Sequence, residues 1–425
     1  MKRESRTVDQ SHQLDSPTQR HLPLIDLLVD TRAELMELAV SSGLKVLHTM
    51  LEEDRTAICG PRYQHQADRT ASRAGTVPSE VVFGGRKVAI RRPRIRRDGA
   101  EVPLPTFQLM ASEDPLDRRI VEQMLIGVAT RQYARSLEPL PATMTTRGTS
   151  KSTVSRRFVT KTRAQLEAWQ SRPLDGLDLA ALILDGVHVG EHCLIVALGI
   201  AADGQKHALG LWEGSTENAT LCQSLLANLQ SRGLRTDRSL LVILDGSKAL
   251  RKAVRDLFGE VGLVQRCQVH KMRNVLDHLP DGQRTWAKAI LQRAYRSTNV
   301  ATARRLLLDL ARRLEAEHPS AAESVREGLD ETLTVLRLNL PDTLRRSLTT
   351  TNAAESLISR TRHVKRNVKR WRGGQMVVRW VAAGVLEAVK GFRRLKGHKA
   401  MPQLVAALRA RDQQRGIAES VEHVA

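Results

Sequence analysis

From Leu22 to Leu51, apolar side chains recur at the spacing of one helix face (Leu24, Leu28, Leu35, Leu38, Leu44, Leu47, Leu51), so the segment reads as one or two amphipathic helices. Residues 1–20 before it are polar and carry no such period, as expected of a disordered tail. Residues 55–76, polar and rich in Arg, Gly and Gln, read as a loop. The period then shortens. In SEVVFGGRKVAIRRPRIRRDGAEVPLP, β-branched stretches are punctuated by Gly84-Gly85 and Asp98-Gly99, which predicts β-hairpins. Residues 114–170 return to a helical pattern. DPLDRRIVEQMLIGVATRQYARSLEPL predicts two helices, broken near Gly127 and Thr130 and ended by Pro139. After a Gly-containing turn, TSKSTVSRRFVTKTRAQLEAW begins a third helix behind Thr149 or Ser150 as its N-cap.

Beyond residue 172 three strand-like runs follow one another: DLAALILDGVHVG, HCLIVALGIAADG and KHALGLWEG. ENATLCQSLLANLQSRG then reads as a helix, SLLVILDG as a buried strand, SKALRKAVRDLFG as a helix and GLVQRCQVH as another strand. That order, β-β-β-α-β-α-β, predicts a mixed α/β sheet. Residues 271–345 are helical in pattern throughout (RRLLLDLARRLEAEH, for example). TTNAAESLISRTRHVKR opens a further helix, and a basic amphipathic tail runs to about residue 410. No run approaches the roughly 18 apolar residues of a membrane span, and MKRESRTVDQSHQLD has no apolar core of a signal peptide. A soluble, cytoplasmic protein is expected.

Charge narrows the partners. The 425 residues hold 67 Lys and Arg against 46 Asp and Glu, a formal net charge of +21, which favours a polyanion. Only 3% of residues are aromatic, too few for stacking single-stranded bases to be the main binding device. Double-stranded DNA gripped through its phosphates fits better. Arg91, Arg92, Arg94, Arg96 and Arg97 crowd one predicted strand; a solvated edge strand is the plainer reading, but such a density repels itself unless phosphates neutralise it. Residues 114–170 could hold a helix-turn-helix reader, its second helix presenting Lys151, Ser152, Arg156 and Arg157. The competing reading is a helical hairpin with a charged outer face. Cys59, Cys193, Cys222 and Cys267 are scattered and form no CxxC pair, so neither a disulfide framework nor a zinc knuckle is expected.

Two acidic residues end buried strands in the same setting: Asp185 in ALILDG and Asp245 in LVILDG. An Asp there, just before a Gly, carries its carboxylate to the edge where the sheet stops. For Asp245, followed by SKALRKAV, capping of the next helix is an alternative role. In a ribonuclease H-like sheet of this strand order the first and fourth strands are neighbours, so both carboxylates would meet at one edge. His188, Glu191 and His192 spell HxxEH, the inverted zinc-protease signature, which needs one helix. Here the segment follows a strand and contains Val189-Gly190, so a hairpin turn is expected instead.

In ALILDGVHV, ALGLWEGSTENA, ILDGSKALRKAV, QRCQVHKMRNVLDHLP and TTNAAESLISRTR, residues 60–390 resemble the Mutator-type transposases of bacterial insertion sequences. The spacing agrees with that family: 245 − 185 = 60 and 355 − 245 = 110, the long second interval being a helical insertion. The resemblance implies Asp185, Asp245 and Glu355 as a metal-holding catalytic triad, and Cys267 and His270 as the family's Cys-x-x-His element. His188, Cys267 and His270 are expected near the active site. The sequence departs from the family pattern TTNxxERxN at Ser356 and Ile358. The implied chemistry is phosphodiester hydrolysis and transesterification on two Mg²⁺ ions, with Mn²⁺ as a substitute.

The resulting expectation is an α/β chain with an RNase H-like mixed-sheet catalytic domain and a helical insertion, preceded by a helical and β-hairpin DNA-binding region. Residues 1–59 form an N-terminal tail and helices, 60–172 the DNA-binding region, and 173–425 the catalytic domain, with 271–345 as insertion and 346–425 carrying the Glu355 helix and basic C-terminal helices. Terminal inverted repeats and target DNA are the expected partners, in a nucleoid-associated bacterial protein acting as a homodimer or higher oligomer. The alternatives are a DNA-binding regulator that has lost catalysis and an RNase H-like nuclease without strand transfer.

Overall fold

The computed structural model describes residues 22–64, 69–141, 144–214, 219–365, 368 and 370–416. The expected disordered tail and the STEN stretch after LWEG lie outside these residues. The chain divides into two compact units, one of residues up to Gln123 with Val128–Phe158, the other of Met124–Gly127 with Val159 onward.

The first unit opens with a single helix, α1 (Leu22–Cys59). It runs past Leu51 to Cys59, which still reaches the core, so residues 55–59 of the loop expected at 55–76 are helical. Strands β1 (Ser72–Phe83), β2 (Arg86–Arg97) and β3 (Ala100–Val102) form an antiparallel meander. Its turns need left-handed backbone, and the sequence supplies it: Gly84 and Gly85 have φ of 54° and 78°, Asp98 and Gly99 of 49° and 82°. Leu44, Leu47 and Leu51 of α1 share a core with Val81, Val88, Ile90 and Ile95 of the sheet. Two helices follow, α2 (Pro105–Ala111) and α3 (Asp114–Leu125).

The second helix expected before Pro139 does not form. Gly127, at φ 103°, ends the α3 segment, and only a 3₁₀ turn at Ala134–Ser136 follows. Tertiary contacts hold this stretch: Tyr133 is fully buried and its hydroxyl donates to the Gly85 carbonyl at 2.7 Å. Strand β4 (Thr146–Arg147) then pairs with β2. Helix α4 (Lys151–Ser171) begins behind Ser150, whose Oγ accepts from the Thr153 amide at 3.4 Å. Among the described residues of 126–150 no α-helix intervenes between α3 and α4, so the two-helix reader expected in 114–170 is not found among them.

The second unit is built on strands β5 (Leu179–Val189), β6 (His192–Ala201), β7 (Lys206–Gly214), β8 (Leu240–Leu244) and β9 (Gly262–Arg266), ordered β7-β6-β5-β8-β9. Strand β6 runs antiparallel to both β5 and β7, while β8 and β9 run parallel to β5, giving the expected mixed α/β sheet. Helices α5 (Ala219–Ser231) and α6 (Lys248–Phe258) carry the crossovers. Because β5 and β8 are central, both their faces are buried, which is why they read as continuous apolar runs. Leu182, Leu184, Val242 and Leu244 pack toward α5 and α6. Ala181, Ile183, Leu241 and Ile243 pack on the other face with residues from the C-terminal helices.

After β9 come α7 (Gln268–Asp277), α8 (Asp281–Arg296), α9 (Val300–Leu314), α10 (Pro319–Arg326), α11 (Leu329–Thr332), α12 (Thr334–Arg337) and α13 (Asp342–Leu348). The run from α7 to α12 buries a core of its own, centred on residues such as Leu291, Leu307 and Leu310. The last strand is shorter than expected. It ends at Arg266, and Gln268–His270 begin α7 with Cys267 at the N-cap position. The chain then returns to the sheet as α14 (Asn352–Lys365), α15 (Gly374–Val389) and α16 (Met401–Gln414). The expected basic amphipathic tail is in part a core element: α15 buries Val377, Trp380, Val381 and Val385.

Candidate active site

Parallel pairing sets the level of the two aspartates. Leu184 of β5 is in register with Leu244, the last residue of β8; Asp185 follows within β5 and Asp245 is the first residue past β8. Asp185 is on the face of Ala181 and Ile183, with 2% of its surface exposed, and its Oδ1 is buried without a hydrogen-bond partner. Burial, then the neighbouring charge of Asp245, pushes its carboxyl up to about 7, with His270 acting in the opposite direction.

The third carboxylate arrives on a helix. Thr351 precedes α14 and its carbonyl accepts from the Ala354 and Glu355 amides, so Glu355 lies in the first turn, where the helix dipole favours a negative charge. One ligand atom each of Asp185, His270 and Glu355 lies within 4.8 Å of the others. His270 Nε2 is 3.4 Å from Glu355 Oε1. The fully buried Thr351 hydroxyl ties the group together, 3.3 Å from Glu355 Oε1, 3.4 Å from His270 Nδ1 and 3.6 Å from Cys267 Sγ.

Backbone bonds hold these elements in place. The Cys267 amide donates to the Leu244 carbonyl at 2.8 Å, and the Gln268 amide to the Thr349 carbonyl at 2.9 Å. The end of β8, the start of α7 and the approach to α14 are thereby joined. A hydrogen bond to Cys267 is the largest influence pushing His270 up to about 9; burial opposes it, and the charges of Asp185 and Glu355 reinforce it. Burial pushes the Cys267 thiol up, yet the hydrogen bonds to His270 and Thr351 outweigh it and leave the thiol below its ordinary value. The imidazolium of His270 is therefore the cation that faces Asp185 and Glu355 here.

Asp245 is not within the tight three-residue group. Its Oδ1 accepts from the Ser247 amide at 3.0 Å, and Ser247 Oγ in turn caps α6 by accepting from the Leu250 amide at 3.3 Å. The capping role weighed for Asp245 thus falls to Ser247, with Asp245 holding the turn before the helix, while the charge of Asp245 still reaches Asp185. The donor set suits a hard divalent cation: two carboxylates converge, a third adjoins them, and a buried carboxylate oxygen lacks a partner.

His188 is exposed and, three residues from Asp185 on the same strand, points to the opposite face, away from the cluster. Gly190 (φ 62°) turns β5 into β6, so the HxxEH residues span a hairpin, with His192 Nδ1 2.6 Å from Glu213 Oε1. Thr351 is the site residue that sequence reasoning missed. Its signal was the residue pair Thr350-Thr351 before Asn352, where a buried N-terminal hydroxyl can serve both helix and carboxylate.

The family described as "Transposase, Mutator family" matches residues 28–394. The chain belongs to this family. It is 34% identical over 171 residues to the transposase for insertion sequence element IST2 of Acidithiobacillus ferrooxidans, covering 40% of this chain and 56% of that relative. It is 28% identical over 292 residues to the transposase for element IS6120 of Mycolicibacterium smegmatis, covering 67% and 87%. The transposase for element IS256 in transposon Tn4001 of Staphylococcus aureus is 26% identical over 304 residues, covering 67% and 74%. At the two departures from the family pattern, Ile358 is buried in the core beneath α14 and Ser356 is exposed.

The arginines of this Mutator-family chain divide by partner. Glu101 takes Arg92 at 2.5 Å and Arg94 at 3.0 Å, and Arg91 donates to Thr76 Oγ1 at 3.1 Å. Arg96 and Arg97 at the end of β2 are exposed. On α4, Lys151, Ser152 and Arg156 are exposed, whereas Arg157 is held by Asp117 at 2.8 Å and Glu113 at 2.9 Å. Arg157 is thus internally neutralised, and its role is to lock the first unit together. Among the described residues, no helix is long and apolar enough to cross a membrane.

Proposed function

We propose that this chain is a DNA transposase that cuts phosphodiester bonds at insertion-sequence ends and joins the freed 3′ ends to target DNA. Asp185, Asp245 and Glu355 would hold two Mg²⁺ ions, for which Mn²⁺ can substitute. The observation that carries this reading is the convergence of Asp185 and Glu355, 170 residues apart (355 − 185), beside the neighbouring strand end of Asp245. A sheet ordered β7-β6-β5-β8-β9 supports the RNase H-like assignment, since that order brings Asp185, where β5 outruns β8, beside Asp245 just past the end of β8.

Divalent ions in such a site activate an oxygen nucleophile and offset charge on the attacking and leaving oxygens. The protein residues set the conditions. Asp185, buried and raised, must give up its proton to serve as a ligand, and the adjoining carboxylates disfavour that until a cation arrives. His270 supplies positive charge beside Glu355 and Asp185, and Thr351 fixes both His270 and Glu355 in orientation. Residues 60–172, with Arg96, Arg97, Lys151, Ser152 and Arg156 exposed, would carry recognition of the element ends on duplex DNA. A homodimer or higher oligomer would hold two ends at once.

Single Asp185→Asn, Asp245→Asn and Glu355→Gln variants should each lose at least about a thousandfold in strand cleavage of end-containing duplex with DNA binding retained, the scale of removing a group used only in the transition state. Any of the three cutting near the wild-type rate refutes that residue's assignment. Cleavage without joining to a target duplex would favour a nuclease, and binding without cleavage by the wild-type chain a regulator.

A further inference from the structure

A cavity opens beside β7, on the flank of the same sheet. It has a volume of about 300 Å³ and is lined by Arg163 of α4, Leu211, Trp212 and Glu213 of β7, and Gln375 and Arg379 of α15, among others. The two guanidinium groups lack counter-ions: among the described residues neither Arg163 nor Arg379 has a carboxylate within ion-pair distance, and Arg379 Nε is buried without a hydrogen-bond partner.

The cavity's own acids do not change this. Glu213 is engaged by His192 at 2.6 Å, and its carboxylate lies against the first turn of α15, so close to Gly374 that a Cβ there would collide with it. Its carboxylate is therefore occupied by His192 and the start of α15 and forms no ion pair with either arginine. Glu167 also lines the cavity and pairs with neither arginine. Burial, reinforced by the charge of Arg163, holds the Arg379 guanidinium below its ordinary value, so the fold keeps two like charges together at a cost to its stability.

Sheet register gives the distance to the carboxylate cluster. Asp185 is opposite Val196 of β6, and Val196 is opposite Leu211 of β7, so the three side chains share a face two strand spacings apart, about 10 Å. Consecutive nucleotides of one DNA strand advance about 3.4 Å.

We propose that this cavity holds a phosphodiester of the bound DNA, within a few nucleotides of the bond to be cut, between the guanidinium groups of Arg163 and Arg379. The inference rests on the transposase reading above and adds to it a positional anchor for the strand. Paired guanidinium groups match phosphate oxygens through charge-assisted, bidentate hydrogen bonds. A phosphate contact carries no sequence information, so the anchor serves element ends and unrelated DNA alike.

The test measures duplex binding by the full chain across a salt series, on an end-containing duplex and on a scrambled one, by fluorescence anisotropy. Arg163→Gln/Arg379→Gln should bind both at least about tenfold more weakly, the scale of losing hydrogen bonds to a charged group. Its log–log salt slope should be shallower by about 0.9 for each phosphate that the protein no longer neutralises. The melting temperature should stay level or rise, because an uncompensated charge is removed. If the double variant does not fold, the exposed Arg163→Glu carries the same test. Unchanged affinity and slope in a folded variant overturn the anchor while leaving the transposase reading intact. Wild-type protein that binds neither duplex overturns the reading itself. If inorganic phosphate at millimolar concentration binds the wild type, and the double variant loses that binding but keeps its DNA affinity, the cavity takes a small anion and the anchor is wrong.

Discussion

Replacing Asp185 with Asn should destroy cleavage and at the same time stabilise the metal-free protein. The carboxyl titrates at about 7 in the folded chain against an ordinary 3.8, chiefly because it is buried and faces Asp245. Its folded-state value is raised, so the sign is opposite to that of a salt-bridged carboxylate. Below about pH 4 the group is neutral in both states and the substitution changes little. As pH rises, the unfolded chain ionises first and the folded state loses about 1.36 kcal/mol per pH unit, levelling off above about pH 7 at roughly 4 kcal/mol. The imidazolium of His270 belongs to the same coupled group and offsets part of this, so about 2 kcal/mol is the working figure. An Asn keeps the shape and can donate to Glu355. For a domain of this size each kcal/mol moves the melting temperature by about 2–4 °C, giving a gain of about 4–8 °C at about pH 8. The assay is thermal unfolding of wild type and Asp185→Asn in EDTA at about pH 5.5, 6.5 and 8, with the gap widening as pH rises. A variant no more stable than wild type at about pH 8, or a gap independent of pH, refutes the reasoning.

Mg²⁺ or Mn²⁺ should raise the melting temperature of the wild type by mass action and leave Asp185→Asn nearly unmoved; equal shifts in both would place the ion elsewhere. Ca²⁺, larger and looser in geometry, should support DNA binding without efficient cutting in a gel assay, and full cleavage with Ca²⁺ would count against the site. Thr351→Val should lower cleavage about 10–100-fold, the usual effect of losing a group that orients metal ligands, with KM little changed; kinetics at wild-type level would make the hydroxyl merely structural. Arg157→Ala should cost about 1–2 kcal/mol by chemical denaturation without altering the salt slope of DNA binding, while exposed Arg96→Ala and Arg97→Ala should do the reverse, each flattening the slope by about 0.9. The opposite pattern would reassign these arginines.

The sheet was legible because β5 and β8 are buried on both faces, and a strand in that position has no choice but to be apolar from end to end. Gly84-Gly85 and Asp98-Gly99 marked their turns for an equally local reason, the backbone angles that only such pairs adopt readily. What local pattern could not supply was the outcome of competition with tertiary contacts. ATRQYARSLEPL has helix-forming composition, yet burying Tyr133 against Gly85 fixes it in irregular structure, and the helix-turn-helix reading failed with it. Likewise GLVQRCQVH alternates as a strand would, but the backbone bond from Cys267 to Leu244 ends the pairing and starts a helix. That change of period turns His270 toward the carboxylates.

The candidate site divides along the same line. Asp185 and Asp245 were visible as acidic residues closing apolar runs, because burial makes a lone acidic residue conspicuous, although β5 continues past Asp185 to Val189 and only β8 stops at its aspartate. Glu355 was not: it lies in a helix whose neighbours are unremarkable in charge, and only the resemblance picked it out. Its place beside Asp185 depends on the intervening helices burying their own core and handing the chain back through Thr349, whose carbonyl binds the start of α7. The same dependence has an energetic consequence. A cluster assembled from a strand, a helix start and a second helix start brings Asp185 and Glu355 together without hydrogen bonds enough to satisfy them, as the unpartnered Asp185 Oδ1 records. Such a cluster is stable only because the surrounding apolar packing over-determines it, and a bound cation is the ligand best able to relieve it. Cation affinity and metal-free instability at this site should therefore rise and fall together in any series of variants that alters the burial of Asp185 while sparing the three carboxylates. Enlarging the space beneath it, as in Ile183→Val, should admit water, lower the carboxyl toward its ordinary value, and weaken the stabilisation that Mg²⁺ provides on thermal unfolding. If Mg²⁺ stabilises Ile183→Val as much as wild type, burial of Asp185 is not what couples the site to the ion.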